Sequence, residues 1–328
     1  MHPPHPSSRF IPPPLLIDLI PSFLEATSAP NPVDGYRRYF EEHHPVLSSY
    51  WRNYVLDPES SPAEEVMRHA VKARRDDLHA LLQSVDVKQI AADTLARCEN
   101  LFRVDRPVDL YLMVGVGGAN AGELVVAGRG IAFICLEHFT ARPNPETNGL
   151  GLSPDLIPLW IGHVVAHTVR YTSPASKSEF MQIIAEDGGW YDYWQSGSRA
   201  TLREMLINEG LAVAASRATA PAFAPRQYFG YGSRQYRRLR ELEAFLRRAI
   251  IEELHHTGIG YRLRYFAKGT GLSSRRLAGK TLPERSGYYL GHRMVESYVT
   301  QHGIAEALRA SAEECLATDR ETMEAHTP

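Results

Sequence analysis

The chain has 328 residues, enough to bury a large core in one big domain or two smaller ones. Its 36 basic and 38 acidic side chains nearly cancel, so the overall charge gives no reason to expect a nucleic acid or an anionic membrane as partner. The three cysteines, Cys98, Cys135 and Cys315, are odd in number and far apart, which argues against a disulfide framework and a cysteine zinc site. With no run of about 18 apolar residues and no signal-peptide pattern, the sequence predicts a cytoplasmic protein without a membrane span.

The first hundred residues are predicted to form an extended arm followed by helices. Nine prolines fall within residues 1–33 and favour the arm. Residues 34–104 have the pattern of a helical subdomain, which includes the segments "SPAEEVMRHAVKARRDDLHALLQ" and "VKQIAADTLARCENLF". Ser61 and Glu64 have the spacing of a capping box, with Pro62 at the first helical position, so the first of these helices is expected to begin there.

The rest of the chain is predicted to contain a small sheet and then more helices. Two strands are expected at 109–116 and 130–139, joined by a glycine-rich link. Helices are expected at about 154–171, 199–217, 233–256 and 284–318, the last broken at Gly303. This order predicts an α+β fold that is mostly helical, with a small β-sheet preceding the helix at 154–171. We assign residues 105–318 to one domain and residues 319–328 to a C-terminal tail.

The stretch "IGHVVAHTVR" places two histidines four residues apart. On a helix, His163 and His167 share a face and can both point an imidazole at one atom. Leu156 and Trp160 precede them on the same stripe, so the histidines are expected to face inward. Two such histidines are more often core residues than metal ligands, and the motif alone does not predict a metal.

A glutamate on a later helix strengthens the metal hypothesis. In "TLREMLINEGLAVAA", Glu209 falls on the apolar stripe of the helix, where a carboxylate is costly unless it is paired or binds a metal. Two histidines and one glutamate are the ligand set of many catalytic zinc sites, with a fourth position left for water. The same set also suits non-haem Fe²⁺. The alternative is a salt bridge from Glu209 to an inward arginine such as Arg170.

Three segments together resemble a known family. "HVVAH", "INEGLA" and "SGYYLGHRMVESY" are similar to the gluzincin-type group of predicted zinc-dependent proteases, a bacterial domain of unknown function, over roughly residues 105–300. The resemblance implies a zincin-like fold, with zinc on His163, His167 and Glu209. It also implies a glutamate directly after the first histidine as general base, and this chain has Val164 there.

Val164 leaves three interpretations open, because valine can neither accept nor donate a proton. The protein could be a zinc-dependent metalloenzyme with impaired or altered chemistry, which is the leading hypothesis. It could be a hydrolase whose base lies elsewhere, with Glu179 and Glu296 as candidates. It could also be a non-catalytic, metal-binding pseudoprotease that acts as a binding module. The substrate would be a peptide or another small molecule.

The helix "SGYYLGHRMVESY" carries two candidates for stabilising an oxyanion. Tyr288 and His292 lie on one helical face, and either could donate a hydrogen bond to the reacting oxygen. Gly287 and Gly291 lie four residues apart and could instead serve close packing of this helix on a neighbour.

Two further features carry less weight. The segment "GVGGANAG" is expected to connect strands rather than bind a dinucleotide, and a strand beside the metal helix could pair with an extended substrate. Residues 226–280 contain 13 basic and 4 acidic side chains. A solvated helix face explains them better than a nucleic-acid site, because no known nucleic-acid-binding module accompanies them.

Overall fold

A computed structural model describes residues 15–269, 271 and 275–325 of the chain. The first part contains β1 (Leu15–Asp18), α1 (Ile20–Ser28), α2 (Pro32–Glu42), α3 (Val46–Tyr54), α4 (Ala63–Lys72), α5 (Asp76–Ser84) and α6 (Val87–Phe102). The middle part contains β2 (Val108–Met113), β3 (Ala121–Val126), β4 (Arg129–Cys135), β5 (Pro143–Asn144), β6 (Gly149–Leu150) and α7 (Ile157–Thr172). The last part contains α8 (Glu179–Glu186), α9 (Tyr193–Arg199), α10 (Leu202–Thr219), α11 (Ser233–Ile250), α12 (Ile259–Phe266), β7 (Arg276–Leu277), β8 (Lys280–Thr281), α13 (Ser286–His302), α14 (Ile304–Ala307) and α15 (Ala312–Ala325).

The main sheet has four strands in the order β1-β2-β4-β3. β1 and β4 both run parallel to β2, whereas β3 runs antiparallel to β4, with Glu123 opposite Ala132. β3 and β4 are joined by a two-residue turn in which Ala127 and Gly128 have φ values of 51° and 77°. Positive φ at both positions matches the twist of a tight hairpin. Because β3 is last in the strand order, it lies at an edge of the sheet.

Helix α7 is the central helix of the fold. Thirteen of its 16 residues are buried, so it is covered on all sides instead of presenting one polar face to solvent. It packs against β3 and β4 on one side and against α6 and α10 on the others. One cluster of buried apolar side chains extends from Leu19 to Leu316.

The predicted class is confirmed, because the fold is α+β and mostly helical with a small sheet ahead of α7. The two predicted strands are found as neighbours, β2 and β4, and the last predicted helix is interrupted at Gly303, where φ is 78°. The division of the chain into domains stays a prediction.

Several local predictions are wrong. Residues 15–28 form β1 and α1 instead of an extended arm, because Ile20 and Phe23 are buried in the core; residues 1–14 lie outside the described part. The predicted capping box does not form, since α4 begins at Ala63 and no side chain caps it. The chain then turns extended at Ala73, so the predicted single helix is two helices, α4 and α5. The glycine-rich link contains a strand of its own, β3.

Candidate metal centre

Helices α7 and α10 bring the three predicted ligands together. His163 and His167 lie one turn apart on α7, and their Nε2 atoms are 3.3 Å apart. Glu209 enters from α10, with its Oε2 atom 3.4 Å from His163 Nε2 and 3.5 Å from His167 Nε2. Their side chains are only 7%, 2% and 14% exposed, respectively. Three potential ligand atoms therefore converge on one point in the interior.

The spacing of these atoms fits zinc. Ligands that are about 2.0–2.2 Å from a tetrahedral zinc ion lie about 3.3–3.6 Å apart, which matches the three observed distances. The donor set, two imidazole nitrogens and one carboxylate oxygen, is also that of catalytic zinc sites. The cluster can thus hold a metal ion.

The charges at the cluster also suit a cation. Burial raises the pKa of Glu209, but His167 and His163 outweigh this effect, so the pKa is lowered and the group is a carboxylate. Burial lowers the pKa of His163. Burial also acts to lower the pKa of His167, but the carboxylates of Glu123 and Glu209 reverse the shift, so that pKa is raised. A metal would bind this imidazole in its neutral form.

Asn208, next to Glu209 on α10, is placed to orient one of the ligands. Its amide nitrogen donates a hydrogen bond of 3.0 Å to the hydroxyl of Tyr171. Hydrogen bonding to its side chain contributes to the raised pKa of His167, although neither Asn208 Oδ1 nor His167 Nδ1 has a well-aligned partner among the described residues. No motif singled out this residue, and its signal in the sequence is its position directly before Glu209.

The ligand atoms lie in a cavity of about 120 Å³. Tyr288 forms part of its wall, with its ring centroid 6.3 Å from that of His163. The Arg285 guanidinium lies over the Tyr288 ring at 4.6 Å from its centroid. The other residues that line the cavity are Tyr54, Asn120, Ala121, Gly122, Glu123, Trp160, Val164, Tyr193, Arg262 and Phe266.

A second carboxylate, that of Glu123, was missed in the sequence. Glu123 lies on β3, lines the same cavity as the ligands and is 7% exposed. Burial raises its pKa, and the nearby His167 partly offsets this shift. The strand that carries it was hidden in a stretch that looked like a glycine-rich connection.

The outer edge of β3 is already occupied next to the cavity. The hydroxyl of Tyr54 donates to the carbonyl oxygen of Glu123 at 2.9 Å and accepts from its N–H at 3.2 Å. The backbone N–H of Tyr191 donates to the carbonyl oxygen of Val125 at 3.0 Å. The suggestion that the segment 115–122 pairs with an extended substrate stays a prediction, but the backbone groups of Glu123 and the carbonyl oxygen of Val125 on the same edge already have partners within the chain.

The two oxyanion candidates are separated by the structure. Tyr288 faces the cavity, whereas His292 does not line it. His292 Nε2 lies 2.8 Å from Arg217 Nη1, and its ring packs against Phe229. Burial and the neighbouring Arg217 and Arg293 lower the pKa of His292 to about 3. His292 is thus a neutral histidine one turn further along α13, outside the cavity.

The two suggested replacement bases also lie elsewhere. Glu179 accepts hydrogen bonds from the backbone and hydroxyl of Thr201 and pairs with Arg203. Glu296 pairs with Arg293 and Arg217 on the surface of α13. Neither glutamate lines the cavity.

The alternative partner proposed for Glu209 is engaged with a different carboxylate. Arg170 binds Glu204, one turn earlier on α10, with distances of 3.2 Å from Nε and 2.8 Å from Nη2 to the same oxygen. The salt bridge from Glu209 to Arg170 therefore does not form.

A close contact between α10 and α13 fixes the position of Glu209 relative to Tyr288. A Cβ atom on Gly210 would lie 2.2 Å from the carbonyl carbon of Gly291, and one on Gly291 would lie 1.9 Å from the carbonyl oxygen of Leu206. Only glycine permits two backbones to come this close. The packing interpretation of Gly291 explains its position, and the contact also keeps the metal cluster and its wall together.

The C-terminal half of the chain carries the match to a known family. Residues 190–317 match a family described as a predicted Zn-dependent protease (DUF2268). The resemblance predicted from the sequence is thereby confirmed for this segment, which contains Glu209 and Tyr288. The match to the Zn-dependent protease family begins after α7, so it covers less of the N-terminal side than the predicted 105–300 and does not include the two histidines.

The other comparisons give no relatives. No curated protein and no solved structure matches the chain. Among the described residues, no helix combines the length and apolar character needed to cross a bilayer.

Proposed function

We propose that the protein is a zinc-dependent hydrolase on a zincin-like, peptidase-derived scaffold, with His163, His167 and Glu209 as the metal ligands. The observation that supports it is the convergence of three ligand atoms, 3.3–3.5 Å apart, inside a cavity that also holds a tyrosine and a second carboxylate. The family match, to a predicted Zn-dependent protease, agrees with this chemistry.

When bound, zinc supplies a Lewis acid that polarises a carbonyl or phosphoryl oxygen and makes water more acidic. Tyr288 lines the cavity, and its hydroxyl would donate a hydrogen bond to the oxygen that becomes negatively charged. Arg285, stacked on Tyr288, keeps positive charge next to that hydroxyl. The surrounding aromatic side chains limit the access of bulk water.

Val164 alters this chemistry relative to ordinary zinc peptidases. It occupies the position at which the motif has its glutamate, and its side chain cannot move a proton. Without another group to do so, hydrolysis would be slower by about 10² to 10⁴. The protein therefore needs a different residue for proton transfer, or it turns over slowly.

The cavity favours a compact substrate. Typical small-molecule pockets have volumes of about 300–1,000 Å³, and the cavity here has about 120 Å³. On the edge of β3, the backbone groups of Glu123 and the carbonyl oxygen of Val125 are already hydrogen-bonded within the chain, which leaves fewer groups to align a long extended substrate. We infer a small acyl compound or the end of a short peptide as substrate.

Metal analysis of the purified full-length protein tests the proposal. We expect about one zinc ion per chain in the parent and none in a His163→Ala, Glu209→Ala double variant, with a Glu179→Gln variant as a control that keeps its zinc. The zinc-loaded parent should hydrolyse a member of a panel of N-acyl amino acid amides and short peptides.

Three results would redirect the proposal. The absence of stoichiometric metal in the parent would refute the metal centre. Iron in place of zinc would indicate oxidative chemistry by the same three ligands. Bound zinc without turnover of any panel member would favour the non-catalytic pseudoprotease that acts as a binding module.

A further inference from the structure

The cavity contains a carboxylate that the motif does not explain. At the position where H-E-x-x-H has its glutamate, Val164 lines the cavity with a side chain that is 1% exposed. Of the residues described around the cavity, two are acidic: the proposed ligand Glu209 and Glu123. Glu123 comes from β3, which packs directly against α7. A strand side chain thus reaches the same space that position 164 borders.

We propose that Glu123 is the catalytic residue that transfers the proton in this enzyme, in place of the glutamate that is absent at position 164. The inference rests on the proposed hydrolase function, and it names the residue that would carry out the proton transfer that hydrolysis needs. Glu123 lies on the edge strand β3, whereas the absent glutamate would lie on α7, the helix with the two histidines.

The surroundings of Glu123 favour a functional role over a structural one. Burial raises the pKa of its carboxyl, and the nearby His167 and its own backbone N–H both act to lower it, but no ion pair or side-chain hydrogen bond to another residue is found for it in the described part of the chain. Arg262, a cation on the same wall, directs its guanidinium to the carbonyl oxygen of Tyr193 and the hydroxyl of Tyr191, each at 2.9 Å. Burying a carboxylate without a fixed partner is costly. A structural glutamate would be expected to have such a partner, as Glu204 does in Arg170.

The backbone of Glu123 is nevertheless held firmly. Tyr54 binds both its N–H and its carbonyl oxygen, and β4 supports the strand from the other side. A side chain on a fixed backbone, with a carboxylate that no cation of the chain pairs with, can accept and release a proton without rearrangement of the fold. Such placement is what proton transfer during a reaction requires.

The step balances as an ordinary hydrolysis. The water oxygen forms a bond to the carbonyl carbon of the substrate, and one proton of that water moves to the Glu123 carboxylate. The bond from carbon to the leaving nitrogen or oxygen then breaks, with its electron pair remaining on the leaving atom. Glu123 delivers the proton to that atom and returns to its ionised form.

The Glu123→Gln variant distinguishes a role in proton transfer from a role in binding zinc or in stabilising the fold. We expect zinc-loaded Glu123→Gln to lose about 10² to 10⁴ in kcat. Its affinity for zinc, measured by competition with a chelator, should change less than about threefold, since Glu123 is not among the three groups that can hold the ion. The melting temperature of its metal-free form should not fall, because an uncharged amide replaces a buried carboxylate. Glu296→Gln, a surface control, should keep the parental kcat.

Two rescue measurements complete the test. Adding Val164→Glu to Glu123→Gln returns a carboxylate at the motif position and should raise kcat by at least about tenfold. If that variant does not fold, Glu123→Ala assayed with sodium formate offers a small carboxylate in the vacated space, and the same rise is expected. Sodium chloride at equal ionic strength is the control.

Each result has a definite meaning. Rescue with unchanged zinc affinity supports the proposal. Full activity of Glu123→Gln in an active parent overturns the proposal but leaves the hydrolase function intact. Loss of zinc in Glu123→Gln shows a metal ligand, and a lowered melting temperature without rescue shows a structural residue; both overturn it. An inactive, zinc-loaded parent refutes the hydrolase function and this proposal together.

Discussion

Two buried glutamates on α10, five residues apart, differ in what surrounds them. One oxygen of Glu204 accepts three hydrogen bonds, two from Arg170 and one of 2.6 Å from Ser178. Arg170 is occupied as well, since it also donates to the carbonyl oxygen of Ala310 at 2.8 Å. Glu209 instead faces two imidazole nitrogens at 3.4 and 3.5 Å. Within the described residues, the Oε2 atom of each glutamate lacks a well-aligned donor, so the two sites differ in the kind of group that faces the carboxylate.

The difference distinguishes a carboxylate that holds the fold together from one that can hold an ion. At Glu204 a guanidinium and a hydroxyl donate to Oε1, so the carboxylate is paired with a cation of the protein, although its Oε2 lacks a hydrogen-bond partner among the described residues. At Glu209 the neighbours are themselves potential electron-pair donors, and three such atoms in contact are stable only around a proton or a metal. Burial separates the two sites only weakly, because the side chains of Glu204 and Glu209 are 0% and 14% exposed.

Removing Arg170 should have the largest effect on stability. Arg170→Ala leaves Glu204 buried without its partner, and we expect the free energy of unfolding to fall by about 3–5 kcal/mol. The zinc content of the folded protein should not change. Urea denaturation monitored by circular dichroism measures the loss. An Arg170→Met, Glu204→Met double variant removes both charges and should be more stable than Arg170→Ala; a loss below about 1 kcal/mol in Arg170→Ala would contradict the structural role.

Removing the metal should lower the stability by an intermediate amount, and only in proteins that keep Glu209. At a free zinc concentration of about 100 times Kd, the ion should stabilise the parent by about 2.7 kcal/mol over the chelated protein. Glu209→Gln should show no difference between the two conditions, whereas Glu204→Gln should keep it at a lower overall stability. Thermal melts with and without chelator give the comparison. Equal responses of the two variants would show that the glutamates do not differ as described.

Removing the Asn208 side chain should have the smallest effect. Asn208→Ala leaves His167 without the group that orients its ring, and loss of such a partner weakens metal binding by about 10- to 100-fold. The zinc affinity is measured by competition with a chelator. Asn208→Asp, which keeps an acceptor oxygen, should bind zinc more tightly than Asn208→Ala. If the alanine and parental affinities agree within a factor of two, Asn208 does not position the ligand.

The part of the site that depends on local helix geometry could be predicted from the sequence. His163 and His167 are four residues apart, and this spacing places them on one face whatever the rest of the chain does. Glu209 followed from its place on an apolar stripe. A salt bridge between Arg170 and a glutamate of α10 was a reasonable expectation, but Glu209 was the wrong glutamate. Arg170 pairs with Glu204, which lies on another side of α10, and this helix is buried almost all round.

Other parts depend on tertiary contacts that the sequence does not display. The spacing of Tyr288 and His292 places them on one side of α13. Because this helix packs against several neighbours, Tyr288 faces the cavity, whereas His292 faces Arg217. β3 was missed because it lies among glycines and because its turn has Ala127 where asparagine or aspartate is usual. Glu123 could not be placed without that strand and its pairing with β4.

The contact between Gly210 and Gly291 has a consequence for how the cavity can adapt. Because α10 and α13 meet backbone to backbone, the helix with Glu209 and the helix with Tyr288 cannot separate or slide without losing their packing. A larger substrate would have to be accommodated by the opposite wall, formed by β3 and α12. Diversification of substrate preference, in nature or by directed evolution, should therefore concentrate changes around Phe266 and Arg262 and leave the two glycines untouched.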